Sequence, residues 1–201
     1  MTKPAILLVT DFFLVCLAFG QLGITFENMM TDFLASSPIQ LSYYYALSDG
    51  RFSQDMNGTM VLIEPGKFRL DLWDKIYSSD GSSLYLYDRN TRQTVIDSLR
   101  WSDVNLWVRL LQGDLPAGTV SAHDESPPPG IFRFELLNEE LQWVCTVDVD
   151  TSTRAIQEIM LKDDQGWEHL VRLQAPTPWN GMNLDSVLAL KDLPGLRLDL
   201  R

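Results

Sequence analysis

From residue 40 onward the apolar residues of this chain recur at every second position, in short runs separated by little more than turns. A period of two sends alternate side chains to opposite faces of a strand. Leu41, Tyr43 and Tyr45 alternate with Gln40, Ser42 and Tyr44, Asp49-Gly50 offers a hairpin turn, and the returning strand carries Met60 and Leu62. Phe68, Leu70 and Leu72 then alternate with Lys67, Arg69 and Asp71. Ile76-Tyr77, a turn at Asp80-Gly81, a strand over 83–87 with Leu86, a turn at Asp88-Arg89-Asn90 and a strand over 94–96 complete a first run of six strands. Parallel strands need long crossovers, and these joins are too short for them, so the pattern predicts an antiparallel meander.

A second run of four strands is predicted over 131–137, 141–149, 155–162 and 167–174, with turns at Asn138-Glu139-Glu140, Asp150-Thr151-Ser152-Thr153 and Asp163-Asp164-Gln165-Gly166. Leu141, Trp143, Cys145, Val147 and Val149 give the cleanest alternation. Between the runs, residues 115–130 hold Pro127-Pro128-Pro129 and read as an exposed loop. Residues 175–201 read as loop with a short strand near 187–190.

Two segments keep a helical period instead. Thr25 can cap a helix whose Phe26, Met29, Met30, Phe33 and Leu34 share one face, and Ser36-Ser37-Pro38 ends it. Ser102 or Asp103 can cap a second helix over 103–112, with Val104, Trp107, Leu110 and Leu111 on one side and Arg109 and Gln112 on the other. A sheet of ten or eleven strands curls, and the two apolar helix faces need cover. The economical solution is a mainly β fold: an unclosed, strongly curved antiparallel barrel with a helical lid. Met29, Met30, Phe33, Tyr43, Tyr45, Met60, Leu62, Leu70, Leu72, Leu86, Leu106, Leu110 and Trp143 would then face one interior, with Phe68 beside them. Periodicity does not separate a filled core from a pocket.

The formal charge of −11 excludes a nucleic-acid partner, because such binding draws its affinity from Lys and Arg. The amino terminus reads as a secretory signal: Lys3, an apolar stretch over 5–19, and small residues at Ala18 and Gly20 predict cleavage before Gln21. That leaves one domain over 21–201, still at −11, with Cys145 as its single cysteine. Asp11 is the flaw in the pattern. A membrane anchor, a lipid-modified Cys16 behind the bulky Val15, and a buried amphipathic helix are the weaker readings.

No catalytic constellation assembles, so the chain does not read as an enzyme. His123 stands in an acidic loop with Asp124 and Glu125, without further ligands at metal spacing. His169 shares the parity of Trp167, Val171 and Leu173 and reads as a packed or rim residue. Cys145 reads as a small core hydrophobe. Neither a metal nor a cofactor is implied, since no glycine-rich phosphate loop or nucleophile elbow occurs.

Residues 58–71, Gly-Thr-Met-Val-Leu-Ile-Glu-Pro-Gly-Lys-Phe-Arg-Leu-Asp, and 79–88, Ser-Asp-Gly-Ser-Ser-Leu-Tyr-Leu-Tyr-Asp, resemble the LolA family of periplasmic outer-membrane lipoprotein carriers. Trp179-Asn180, Leu184-Asp185-Ser186-Val187 and 193–198 are similar to that family's carboxyl end. The resemblance implies a monomeric carrier whose interior holds the acyl chains of lipoproteins. Its partners would be an inner-membrane lipoprotein-releasing ABC transporter and an outer-membrane lipoprotein receptor. It implies that Phe68 meets the transporter and that Leu70 stands at a cavity position. Glu64 departs from the basic residue that often helps hold and release the lid there, so a lock must use another pair. A lipid or glycolipid carrier of the same fold, or a non-carrying interaction or sensor domain, are the alternatives.

Overall fold

Thr25 starts the first helix, α1 (Phe26–Leu34), where its Oγ1 accepts the Asn28 N–H at 3.2 Å and Phe26, Met29, Met30 and Phe33 are buried. The computed structural model describes residues 25–123, 127–181, 183–190 and 193–201. The expected signal over 1–20, with Asp11, Cys16 and the cut before Gln21, lies outside the described residues, as do Asp124 and Glu125.

Six strands follow as the alternation predicts: β1 (Ile39–Ser48), β2 (Ser53–Glu64), β3 (Lys67–Leu72), β4 (Lys75–Asp80), β5 (Ser83–Asp88) and β6 (Gln93–Ser98). Each pairs antiparallel with the next. Aspartates set the turns. Asp49 Oδ1 accepts the N–H groups of Arg51 and Phe52 at 2.8 and 2.7 Å, and Asp80 Oδ1 accepts those of Ser82 and Ser83 at 3.0 and 2.8 Å.

After a 3₁₀ turn (Trp101–Asp103) come α2 (Leu106–Leu111), β7 (Val120–His123), β8 (Ile131–Asn138), β9 (Trp143–Asp150), β10 (Ile156–Lys162) and β11 (Glu168–Leu173). The chain closes with β12 (Thr177–Pro178), α3 (Leu184–Leu188) and β13 (Leu196–Asp199). The thirteen strands run β13-β6-β5-β4-β3-β2-β1-β11-β10-β9-β8-β7, with β12 beside β1. The fold is thus the expected open, curved β architecture, but the sheet is not in sequence order. Two meanders are joined by pairing β1 with β11, in register Tyr45↔Val171; the sheet's two edges are β13 and β7, and the chain between β6 and β7 carries α2.

Several expectations are corrected. The described residues form thirteen strands where ten or eleven were expected. The predicted loop over 115–130 contains β7, an edge strand on β8. The predicted strand near 187–190 is instead helix α3 and its end, because Asn183 Oδ1 caps the Asp185 N–H at 3.0 Å and Leu188, Ala189 and Leu190 bury on the sheet's outer face. The final segment adds β13 in parallel to β6. Helix α2 starts at Leu106 instead of 103, since Val104 is extended (φ −99°, ψ 134°).

The sheet buries both faces locally. The concave face carries the main cluster, and on the convex face Ile76, Tyr85, Tyr87 and Ile96 pack with Ala189 and Leu190. Tyr43 lies across Gly58, its register partner, and its hydroxyl donates to the Asp71 carbonyl, tying β1 to β3 over β2. A Cβ at Gly58 would stand 2.5 Å from Tyr43 Cζ and 2.7 Å from the Asp71 carbonyl oxygen. Gly58→Ala should therefore lose about 1–3 kcal/mol of stability in urea unfolding. Tyr43→Phe/Gly58→Ala should recover little of it, because the ring remains in the way.

Candidate functional site

The concave face is largely apolar across the middle of the sheet. Leu41, Tyr43 and Tyr45 of β1, Met60 and Leu62 of β2, and Phe68, Leu70 and Leu72 of β3 face Phe134 and Leu136 of β8, Trp143, Cys145 and Val147 of β9, and Val171 of β11, all buried. Helices α1 and α2 cover it. Phe26 meets Phe134 edge-on at 5.4 Å, and Trp107 lies 5.6 Å from Tyr43 and stacks on Tyr45 at 5.7 Å and 27°.

Of the residues expected to face one interior, Met29, Met30, Phe33, Tyr43, Tyr45, Met60, Leu62, Leu70, Leu72, Leu110 and Trp143 are brought together in this cluster. Leu106 is half-buried against it. Leu86 is half-buried and sits outside it, because β5 turns its neighbours Tyr85 and Tyr87 into the convex cluster near the sheet's far edge. Trp107, Phe26, Phe134, Leu136 and Val171 complete the interior. Their own helical and two-residue periods marked them, but the second meander's parity could be tied to the first only through the β1–β11 pairing.

The interior is densely filled where α2 crosses it. Beneath Val104 and Val108, the void lined by Phe68, Leu70, Tyr77 and Leu84 measures about 10 Å³, room for one water at most. Beside it, at the mouth, a cleft of about 650 Å³ opens between the α2 segment and the ends of β9, β10 and β11. Leu106, Trp143, Leu161 and Tyr77 line it with Arg109, Asp163, Asp164 and His169.

At this rim His169 bridges two groups. Its Nδ1 lies 2.8 Å from the Tyr45 hydroxyl and its Nε2 3.2 Å from Asp163 Oδ2. Burial, and secondarily the Asp163 carboxylate, push the Tyr45 phenol up to about 12. It stays protonated at neutral pH, so the chain of groups orients the ring under Trp107 and does not generate a nucleophile. Burial likewise pushes the Cys145 thiol up, leaving it uncharged and unreactive. Among the described residues no three His, Cys, Asp or Glu side chains gather as a metal site.

The lid has polar attachments on both helices: Asp32 of α1 pairs with Arg154 of the β9–β10 turn at 2.8 Å on the surface, and Gln112 fixes the end of α2. That residue was expected on the wet side of its helix, yet it is 2% exposed, because α2 ends in its turn and tucks it under the β2–β3 hairpin. Its Oε1 accepts the buried Gly66 N–H at 3.0 Å. Glu64 is exposed and pairs with Lys67 on the surface, where such a pair contributes little. Phe68 is 1% exposed and presents no surface to a partner in this conformation.

Against known proteins, the geometry has counterparts although the sequence does not. No protein-family model and no curated protein matches the chain. An uncharacterized conserved protein from Thermus thermophilus superposes with a TM-score of 0.54 at 8% identity, over 86% of this chain and 98% of that one. The fold is shared. Other structural neighbours are a LolA superfamily protein from Nitrosomonas europaea (TM-score 0.46, 9% identity, 83% and 98% of the two chains) and a DUF1329 family protein from Desulfovibrio piger (0.46, 8%, 84% and 98%).

Two outcomes follow from this site. Gln112→Leu strands the buried Gly66 N–H and should lower the unfolding free energy in urea by about 1–3 kcal/mol. In alkaline titration Tyr45, whose value is raised on folding, favours the fold fully below its ordinary value of 10.0, and that contribution is lost as pH climbs through about 12. Phenolate absorbance should accordingly show a late-ionising class, and unfolding midpoints should fall over the same window.

Proposed function

We propose that this protein is a carrier of acylated cargo of the LolA type. It takes the acyl chains of lipoproteins between the curved sheet and its helical lid and moves them across the periplasm from the inner to the outer membrane. The observation that carries this reading is a largely apolar concave face covered by two short helices, with a ligand-sized cleft at its mouth. Each buried CH₂ contributes about 0.8 kcal/mol, so an acyl chain of about 15 carbons gains about 12 kcal/mol on leaving water and needs such a shelter to cross an aqueous space.

In the described state the lid's own Trp107, Met29 and Met30 occupy the interior, so loading lifts α1 and α2 and exchanges their contacts for those of the cargo. Exchange of apolar contacts for apolar contacts costs little net free energy, which suits a carrier that must both load and release without ATP. Lifting the lid also uncovers Phe68, and only then could that residue meet an inner-membrane ABC transporter. Under this reading residues 1–20 are a cleaved signal, 21–201 form the single carrier domain, and an outer-membrane receptor takes the cargo. No helix among the described residues is long and apolar enough to cross a membrane.

The dense packing around Trp107 favours a second reading, an interaction or sensor domain that carries nothing. Native mass spectrometry of the protein isolated from a Gram-negative periplasm separates the two. The carrier reading expects a population bearing an acylated lipoprotein. A bare polypeptide mass, unchanged after incubation with acylated lipoprotein in detergent, would contradict it and leave the sensor reading.

A further inference from the structure

The interior is not uniformly greasy: it holds polar atoms of one kind. The indole Nε1 of Trp107 and of Trp143, and the amide Nε2 of Gln112, are buried without a hydrogen-bond partner among the described residues. These residues are 0%, 4% and 2% exposed, respectively. All three atoms are donors and none can accept. The orientation of the Gln112 amide is set by the Gly66 N–H, which requires an acceptor, so the amide nitrogen is the atom left over.

Folded proteins pair nearly all their buried donors, because an unpaired one carries its full desolvation cost. Trp73 Nε1 beside Tyr45, Trp179 Nε1 and the Ser37 and Thr146 hydroxyls are unpaired as well, but three of the unpaired donors belong to α2, its end and the β9 residue that borders the cleft. Trp107 and Gln112 sit at the start and just past the end of the same short helix, and Trp143 lines the cleft beside Leu106. An occupant that matches this set brings acceptors without donors. Alkyl chains and simple thioethers bring no good acceptor, whereas an acyl carbonyl does. Anionic heads are also mismatched, since the Arg109 guanidinium in the cleft is bonded to Asp114 at 2.7 Å, with Asp163 and Asp164 across from it.

Resting on the carrier reading, we propose that the site selects neutral acyl esters. The indole N–H groups of Trp107 and Trp143 and the Gln112 amide would donate to ester carbonyl oxygens once the chains enter. Selectivity then resides at the carbonyl and not only in chain length.

The test is a competition followed by native mass spectrometry, between methyl tetradecanoate and the methyl tetradecyl ether, which matches it in chain length but lacks the carbonyl. Wild-type protein should prefer the ester by about tenfold, the worth of roughly one net buried hydrogen bond. Trp143→Phe and Trp107→Phe, which keep an aromatic ring and remove only the donor, should each bring that ratio toward one while still binding both ligands. Equal binding of ester and ether by the wild-type protein overturns the inference and leaves the carrier reading intact. An ester preference that survives in both variants overturns its assignment to the indoles. Binding of neither ligand overturns the carrier reading and the inference together. The wild-type ratio needs no variant, so a misfolded substitution cannot mask the answer.

Discussion

The gap between the two edge strands, β13 and β7, is the constraint on which the rest of the molecule depends. A sheet of thirteen strands that curls but does not close has a concave apolar face and no strand to seal it. Something must cover that face, and the β6–β7 connection supplies α2, whose apolar residues join the main cluster. Trp107 of that helix is wholly buried against Tyr43 and Tyr45, so the cover is tied to β1, the strand that joins the two meanders. Tyr45 is the meeting point, with Trp107 above it, Trp73 at its edge at 5.3 Å and His169 on its hydroxyl.

That cover is thick where it packs and thin where it is anchored. Burial of large side chains such as Trp107, Phe26 and Met30 supplies most of the free energy of closure, at about 1.5–3 kcal/mol for a typical large side chain. By contrast, the Gln112 bond to Gly66 ties α2 to the β2–β3 hairpin at a single point. Under the carrier proposal, an acyl chain replaces the apolar part of this attachment without replacing its geometry. Contacts of that kind can be exchanged, whereas a closed barrel with interlocking ladders could not open without breaking its sheet.

Much of this was legible in the sequence, and the parts that were not share a cause. The hairpins announced themselves through Asp-Gly and related turns, and α1 through Thr25 and its apolar spacing, because those signals are local. The pairing of β1 with β11 joins Tyr45 to Val171, and no local pattern carries a contact of that separation. The same holds for β13 on β6, and β7 was hidden beside a proline-rich stretch. Helix α3 has only five residues, too short for a period to show. Gln112 was misplaced because helical parity assumes a continuing helix, whereas α2 stops one residue earlier and the side chain turns inward. Leu86 followed the right alternation, yet on its strand it is Leu84 that packs against the main cluster while Leu86 stays half-buried outside it.

The central claim is that α1 and α2 form a lid that cargo displaces while the sheet stays intact. Hydrogen exchange read by mass spectrometry, on the same protein alone and loaded with a long-chain acyl ester, addresses it directly. The account predicts faster exchange in residues 26–34 and 106–112 on loading, with β1, β2, β9 and β10 unchanged. Loading that leaves both helices as protected as before, or that loosens the sheet instead, would contradict it.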